Sequence, residues 1–150
     1  MSVNEITVDA PPQAVWEVLA DPPTYEEWVV GNKEVRYNDR SWPTPGTEFG
    51  HKVGFGPLFV KDKTVALEAA QPRRLVMNVR ALPVGHGVVA IELSESGSGT
   101  LVRMEEKPAG GPIRMLWPAF EPLVKLRNAE TLRRLKRLAE KRHQAPAGRG

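Results

Sequence analysis

His51 stands five residues before Gly56, and Asp62 stands five residues after Pro57. If Gly56-Pro57 is a two-residue hairpin turn, Phe55 pairs with Leu58, Val53 with Val60, His51 with Asp62 and Phe49 with Thr64. An imidazole then faces a carboxylate, the arrangement that orients a histidine as a general base. His51 has the strand parity of Phe49 and Val53, so the pair is expected on the inner face. A structural hydrogen-bonded pair is the competing reading, and a one-residue slip would turn both groups outward. Glu106 has the parity of Thr100, Val102 and Met104, which takes it to the rim of the same interior. An apolar pocket would favour its neutral, proton-donating form. The strand is ending there, so solvent exposure is the alternative. Asn128 falls inside an apolar helical stripe, four residues after Val124 and seven before Leu135. A polar group so placed needs a partner: a sheet carbonyl, a water or a ligand.

Other chemistries leave no pattern. His51, His86 and His143 are scattered without helical ligand spacing, so no metal site is expected. Gly97-Ser98-Gly99 lacks the third glycine of a dinucleotide loop, and no nucleophile elbow occurs. No cofactor is expected.

The elements that must position these residues follow from periodicity. Residues 4–8 alternate as a first strand. Pro11 and Pro12 open a short helix that buries Val15, Trp16, Val18 and Leu19. Asp21-Pro22-Pro23 leads into a brief turn holding Tyr25 and Trp28, and a strand follows at about 33–39. A meander then reads as strands at 47–55, 58–68, 74–82, 87–93 and 100–107. Pro108 to Pro112 reads as a connector to a long helix at 119–142. Its apolar stripe is Phe120, Leu123, Val124, Leu132, Leu135, Leu138 and Ala139, with Pro122 expected in the first turn. The sum is an α+β domain over 1–143, with a disordered tail at 144–150. Between sheet and helix a void is expected, lined by Phe49, Val53, Met77, Val89, Met104, Phe120 and Val124. Tyr25, Trp28, Trp42, Met115, Trp117 and Phe120 are expected around its mouth, as core and gate packing or as ligand contacts.

The chain has 150 residues, 41% of them hydrophobic and 26% charged, which fits one globular domain. No run is long enough for a membrane span, and nothing at the N-terminus resembles a signal peptide. With no cysteine, disulfides and thiolate metal sites are excluded, and a cytoplasmic location is expected. The net charge of +3 hides an asymmetry: residues 113–150 carry ten Lys/Arg against three Asp/Glu. That basic face reads as the solvated side of the helix, with surface pairs such as Glu121–Lys125 and Glu130–Arg134. Residues 121–150 contain no Phe, Trp or Tyr for base stacking, so no nucleic-acid partner is expected.

The opening ITVDAPPQAVWEVLADPPTYEEW resembles the start of START-like (SRPBCC) domains. The likeness continues through PTPGTEF at 43–49, QPRRLV at 71–76, GSGTLVRMEE at 97–106 and RNAETLRRLKRLAE at 127–140. It is greatest to the bacterial polyketide cyclase/dehydrase and lipid-transport group. The resemblance implies a helix-grip fold, in which a curved antiparallel sheet of six to seven strands wraps the C-terminal helix around a cavity. It also implies a small hydrophobic, lipid-like or aromatic ligand. The matching motifs are scaffold motifs and carry over no catalytic residue. The expected function is binding or carriage of such a molecule by a monomer or homodimer. Its contacts are expected from Tyr25, Trp28, Phe49, Val53, Met77, Val89, Met104, Trp117, Phe120, Val124 and Asn128. A cyclase/dehydratase using His51, Asp62 and Glu106 is the alternative. A protein-interaction module using the groove is a third reading.

Overall fold

The computed structural model describes residues 1–144. Strands β1 (Ser2–Val8), β2 (Asn32–Asn38), β3 (Glu48–Phe55), β4 (Leu58–Ala70), β5 (Arg74–Ala81), β6 (Gly85–Ser96) and β7 (Gly99–Gly110) form one antiparallel sheet. Its order is β1-β7-β6-β5-β4-β3-β2. The first two strands therefore lie at opposite edges. The chain between them must cross the sheet, and it does so through α1 (Pro12–Leu19), a short 3-10 turn at Pro22–Thr24, and α2 (Tyr25–Trp28). Helix α3 (Pro112–Gln144) packs against β1, β7, β6, α1 and α2. Helices gathered on one face of an antiparallel sheet give the expected α+β arrangement.

The hairpin register is the one that the Gly56-Pro57 turn sets: Phe55 opposite Leu58, Val53 opposite Val60, His51 opposite Asp62, Phe49 opposite Thr64. Gly56 has φ +56, a value that a hairpin turn needs at its first central position and that glycine adopts without strain. Alternation in β2 is less regular. Its pairing with β3 shifts between Asn32 and Glu34, and again between Val35 and Tyr37.

Helix α3 starts seven residues earlier than the sequence implies. Pro108 to Gly110 continue β7, and the supposed connector shrinks to Gly111. That glycine has φ +83, and a Cβ on it would lie 2.5 Å from the Gly85 Cα, so only glycine fits this close corner. Pro118 and Pro122 consequently lie inside the helix, beyond the first turn that proline tolerates best. The stripe also needs correcting. Trp117, Asn128, Thr131, Leu132, Leu135 and Ala139 are the buried residues of α3, while Phe120 and Leu123 are exposed. At 100° per residue, Ile113, Trp117, Val124, Asn128, Thr131 and Leu135 fall on one side of the helix. Met115, Leu116, Leu123 and Leu126 fall on the other and face solvent. The N-terminal half of α3 thus has two apolar faces, and leucine spacing alone selects the wrong one. Gln144 closes the helix; the rest of the expected disordered tail lies outside the described residues.

Candidate functional site

The floor of the interior is aromatic. Tyr25 lies 4.5 Å from Trp28 and 4.8 Å from Phe49 between ring centroids, and Phe49 lies 4.8 Å from Trp42. Their polar tips are spent on the fold. Tyr25 Oη and Trp42 Nε1 both donate to the Leu19 carbonyl, at 2.8 and 3.0 Å, and Trp28 Nε1 donates to Thr24 Oγ1. Burial pushes the Tyr25 phenol far above its ordinary pKa, so it stays protonated. These rings act as packing first, as aromatic side chains do when their donors reach backbone.

Above this floor His51 is buried, but its ring bonds pass Asp62 by. Nε2 lies 2.8 Å from the Arg80 carbonyl and Nδ1 lies 3.0 Å from Thr64 Oγ1. A carbonyl only accepts, so Nε2 carries the proton and Nδ1 accepts from the threonine hydroxyl. Desolvation lowers the His51 pKa, against an opposing pull from the backbone bond to Arg80 and the charge of Asp62. Asp62 turns instead to the end of β5. One oxygen accepts from Arg80 Nε at 2.5 Å and from Lys63 N at 2.9 Å, and the other accepts from Leu82 N at 2.9 Å. Burial alone would raise its pKa, but the bonds from Leu82, Arg80 and Lys63 win and hold it below the ordinary value. The two side chains are strand neighbours linked through Arg80, whose side chain binds Asp62 and whose carbonyl binds His51.

Glu106 is not alone in hydrocarbon. Its Oε1 accepts from Asn128 Nδ2 at 2.9 Å and lies 3.6 Å from Arg127 Nη1. Arg127 Nε donates to the Val30 carbonyl at 2.8 Å, and Val30 N donates to Thr131 Oγ1 at 3.1 Å. The Asn128 amide thus meets a carboxylate from β7. Arg127, expected in solvent with the other bases of α3, folds inward one residue before Asn128. Its long stem allows that reach.

This polar cluster separates two spaces. Behind it lies an enclosed chamber of about 50 Å³ that includes Tyr25, Trp28, Asn32, His51, Thr64 and Met77 in its wall. In front of it lies an open groove of about 570 Å³ between the β3–β4 hairpin, Val84 and α3. Val53, Glu106 and Arg127 line both. Pockets for small organic ligands run roughly 300–1,000 Å³, so the groove is large enough for one and the chamber alone is not. The groove is mostly apolar, with Leu58, Phe59, Val60, Ile113, Trp117 and Val124 in its walls.

Of the residues expected at the cavity, Tyr25, Trp28, Phe49, Val53, Met77, Val89 and Met104 line the chamber. Trp117 and Val124 line the groove instead, and Phe120 lines neither and is exposed. Asp62 lines neither space, and Trp42 belongs to the core. Asn32, Thr64 and Arg127 were not singled out. Thr64 carried a signal, since it pairs with Phe49 in the expected register; Asn32, at the irregular start of β2, carried none.

A curved antiparallel sheet of seven strands around a long C-terminal helix defines the helix-grip class. The chain belongs to the family described as polyketide cyclase / dehydrase and lipid transport, whose model matches residues 2–140. No curated protein sequence matches it. Among solved structures it is similar to protein NE0264 from Nitrosomonas europaea, with TM-score 0.72 and 19% identity over 93% of this chain and 94% of that one. The di-domain ARO/CYC StfQ of the steffimycin biosynthetic pathway superposes with TM-score 0.74 at 11% identity, over 93% of this chain and 50% of that one. DynU16, described as a putative protein in the dynemicin biosynthetic locus, gives TM-score 0.67 and 22% identity over 95% of this chain and 48% of that one. At these identities the likeness carries the fold. No helix among the described residues is long and apolar enough to cross a membrane.

Proposed function

We propose that this protein binds a small, largely apolar molecule whose body lies in the groove and whose end reaches the chamber at Glu106 and Arg127. The supporting observation is the 570 Å³ groove, which shares three wall residues with the buried chamber behind it. A molecule of flavone or sterol size would bury most of its surface against Phe59, Val60, Trp117 and Val124. At ~25 cal/mol per Å² of apolar surface removed from water, that burial supplies the driving force. Val124→Trp tests it. The larger ring projects into the groove and should abolish binding of an apolar fluorophore such as anilinonaphthalene sulfonate, while the unfolding midpoint stays near wild type. Wild type that fails to bind any apolar probe, or a Val124→Trp variant that binds equally well, would remove the basis for the proposal.

A second reading, cyclase- or dehydratase-like chemistry, gains some support from the Thr64–His51 contact in the chamber wall. With Nε2 committed to Arg80, a base at His51 acts only through Nδ1, and Thr64 covers that atom. The reading therefore needs Thr64 as the group that meets substrate, in place of an Asp62–His51 dyad. Thr64→Val should then abolish turnover of a hydroxylated aromatic substrate while leaving its binding in place; turnover unchanged by that substitution would count against it.

A further inference from the structure

Single exposed apolar side chains are ordinary on a protein surface, but a contiguous patch of them marks an interaction site. The mouth of the groove carries such a patch. On one bank, Leu58 and Phe59 open β4 after the hairpin turn, and Val84 lies in the turn between β5 and β6. All three line the groove and are also exposed, Leu58 at 78%. On the other bank, Leu116, Phe120 and Leu123 are exposed along α3, Leu123 at 60%. With Arg127 they follow at steps of four, three and four, so the four residues share one row of the helix. Arg127 lines the groove and donates to the Val30 carbonyl, which sets that row along the mouth. The banks meet where Ile113 N donates to the Val84 carbonyl at 3.0 Å. Large apolar side chains from both banks thus border one opening.

The charge around this rim is mostly of one sign. Segments 29–34, 50–62, 82–86 and 112–129, which build the groove and its mouth, hold six Lys/Arg against three Asp/Glu. Two of the acids are taken: Asp62 by Arg80, and Glu121 by the N-terminal ammonium at 3.5 Å. The third, Glu34, stands opposite Lys52 in the strand register. Lys52 Nζ lies 4.0 Å over the Phe59 ring and Lys33 Nζ reaches the Gly56 carbonyl, so two ammonium groups flank the hairpin tip. A second copy docked through this rim would set bases against bases. A helix laid in the groove would leave Leu58 and Leu123, the outermost of the six, uncovered. A flat anionic surface can meet both banks at once. We infer that the rim docks on a membrane surface that carries anionic lipid. The apolar tips enter the boundary between headgroups and acyl chains, while Lys33, Lys52, Lys61, Arg114 and Lys125 stay at headgroup level. Peripheral binding of this kind combines apolar burial with attraction to anionic lipid and needs no spanning helix. It concerns the outside of the groove and stands apart from what the groove holds.

The test is co-sedimentation with two kinds of vesicle: phosphatidylcholine alone, and equal parts phosphatidylcholine and phosphatidylserine. Wild type should bind the anionic vesicles more strongly, by about fivefold for each base brought to the surface, and high salt should remove the difference. Lys61→Glu combined with Arg114→Glu should lower anionic binding by more than about tenfold and leave binding to phosphatidylcholine unchanged. Leu58→Ser, Leu116→Gln and Leu123→Gln should each weaken binding to both vesicles by about tenfold, the worth of one buried leucine. Their unfolding midpoints should stay at the wild-type value, because these side chains already face water. Leu67→Gln, exposed on β4 outside the rim, and Lys141→Glu, exposed at the rear of α3, should bind as wild type does. Absence of binding to either vesicle, equal binding to both, or rim variants that bind like wild type would each overturn the inference. So would a dimer in sedimentation velocity that Leu116→Gln and Leu123→Gln dissociate, since the rim would then belong to a second copy.

Discussion

His51 is neutral because both of its nitrogens are committed and its surroundings are dry. Its folded pKa lies below the ordinary 6.5, and that sets the sign of its effect on stability. Above about 6.5 the ring is neutral in both folded and unfolded chains and has no influence. As pH falls below that value the unfolded chain takes up a proton first, so stability is lost progressively down to the folded pKa. The slope cannot exceed about 1.4 kcal/mol per pH unit for one group. Denaturant melts at pH 7.5 and 5.5 should therefore show wild type losing stability on acidification, and His51→Gln losing less. Asp62 acts in a separate window, because its depressed pKa protects the fold above its ordinary 3.8 and fails below it. Asp62→Asn leaves Leu82 N, Lys63 N and Arg80 with a weaker partner and should cost about 1–3 kcal/mol. It also removes a negative charge that supports protonation of His51, so the His51 NMR titration should move to lower pH. A titration that stays in place would mean that the carboxylate is not felt by the ring.

At the scale of elements the decisive feature is α3, whose two halves do different work. From Asn128 onward it is a packed helix, with Leu132, Leu135 and Ala139 on the core. Before Asn128 it is a wall of the groove, with Trp117 as its one buried side chain. Pro118 and Pro122 sit in that wall, and each lacks the N–H that would bond the carbonyl four residues back. Pro122→Ala restores such a bond and should stabilise the wall by about 1–3 kcal/mol. Amide exchange at 113–126 should slow, while exchange beyond Asn128 should not change. Uniform slowing along the whole helix would show that the two halves do not open separately. The rear half of this helix was legible in the sequence because its leucines repeat on one face. The front half was not, since exposed Met115, Leu116, Leu123 and Leu126 look as apolar as the true inward side and proline there argues for a later start. The β3–β4 register was legible because a two-residue turn leaves one pairing, whereas the bulges in β2 leave no mark in composition.

For the whole molecule, the family, the sheet and the presence of a cavity followed from strand alternation and ordered motifs spread over most of the chain. The division of the interior into chamber and groove did not follow. It depends on the path of Arg127 and on which carboxylate Asn128 meets, and both are set by packing between α3, β7 and the Val30 loop. The same distinction between composition and pairing governs the basic charge. Ten Lys/Arg in residues 113–150 suggest a strongly positive face. Yet Glu130 pairs with Arg133 at 3.2 Å, Arg134 at 3.1 Å and Arg137 at 3.7 Å, Lys136 pairs with Glu140, and Arg142 lies 3.5 Å from Asp21. The expected Glu130–Arg134 pair is present; Glu121 lies 3.5 Å from the N-terminal ammonium of Met1 in place of Lys125. These exposed pairs set carboxylates among the bases of α3 and weaken the local positive field. A labelled DNA duplex should therefore bind no tighter than a non-specific complex, ~10⁻⁴ M or weaker at physiological salt, as anisotropy would measure. What binding remains at low salt should fade as a shallow power of salt concentration, because few phosphates can be neutralised at once. Glu130→Gln frees three arginines and should steepen that dependence, which makes the pairing, and not the count of bases, the cause. Sub-micromolar, sequence-selective binding by wild type would contradict this reading of α3.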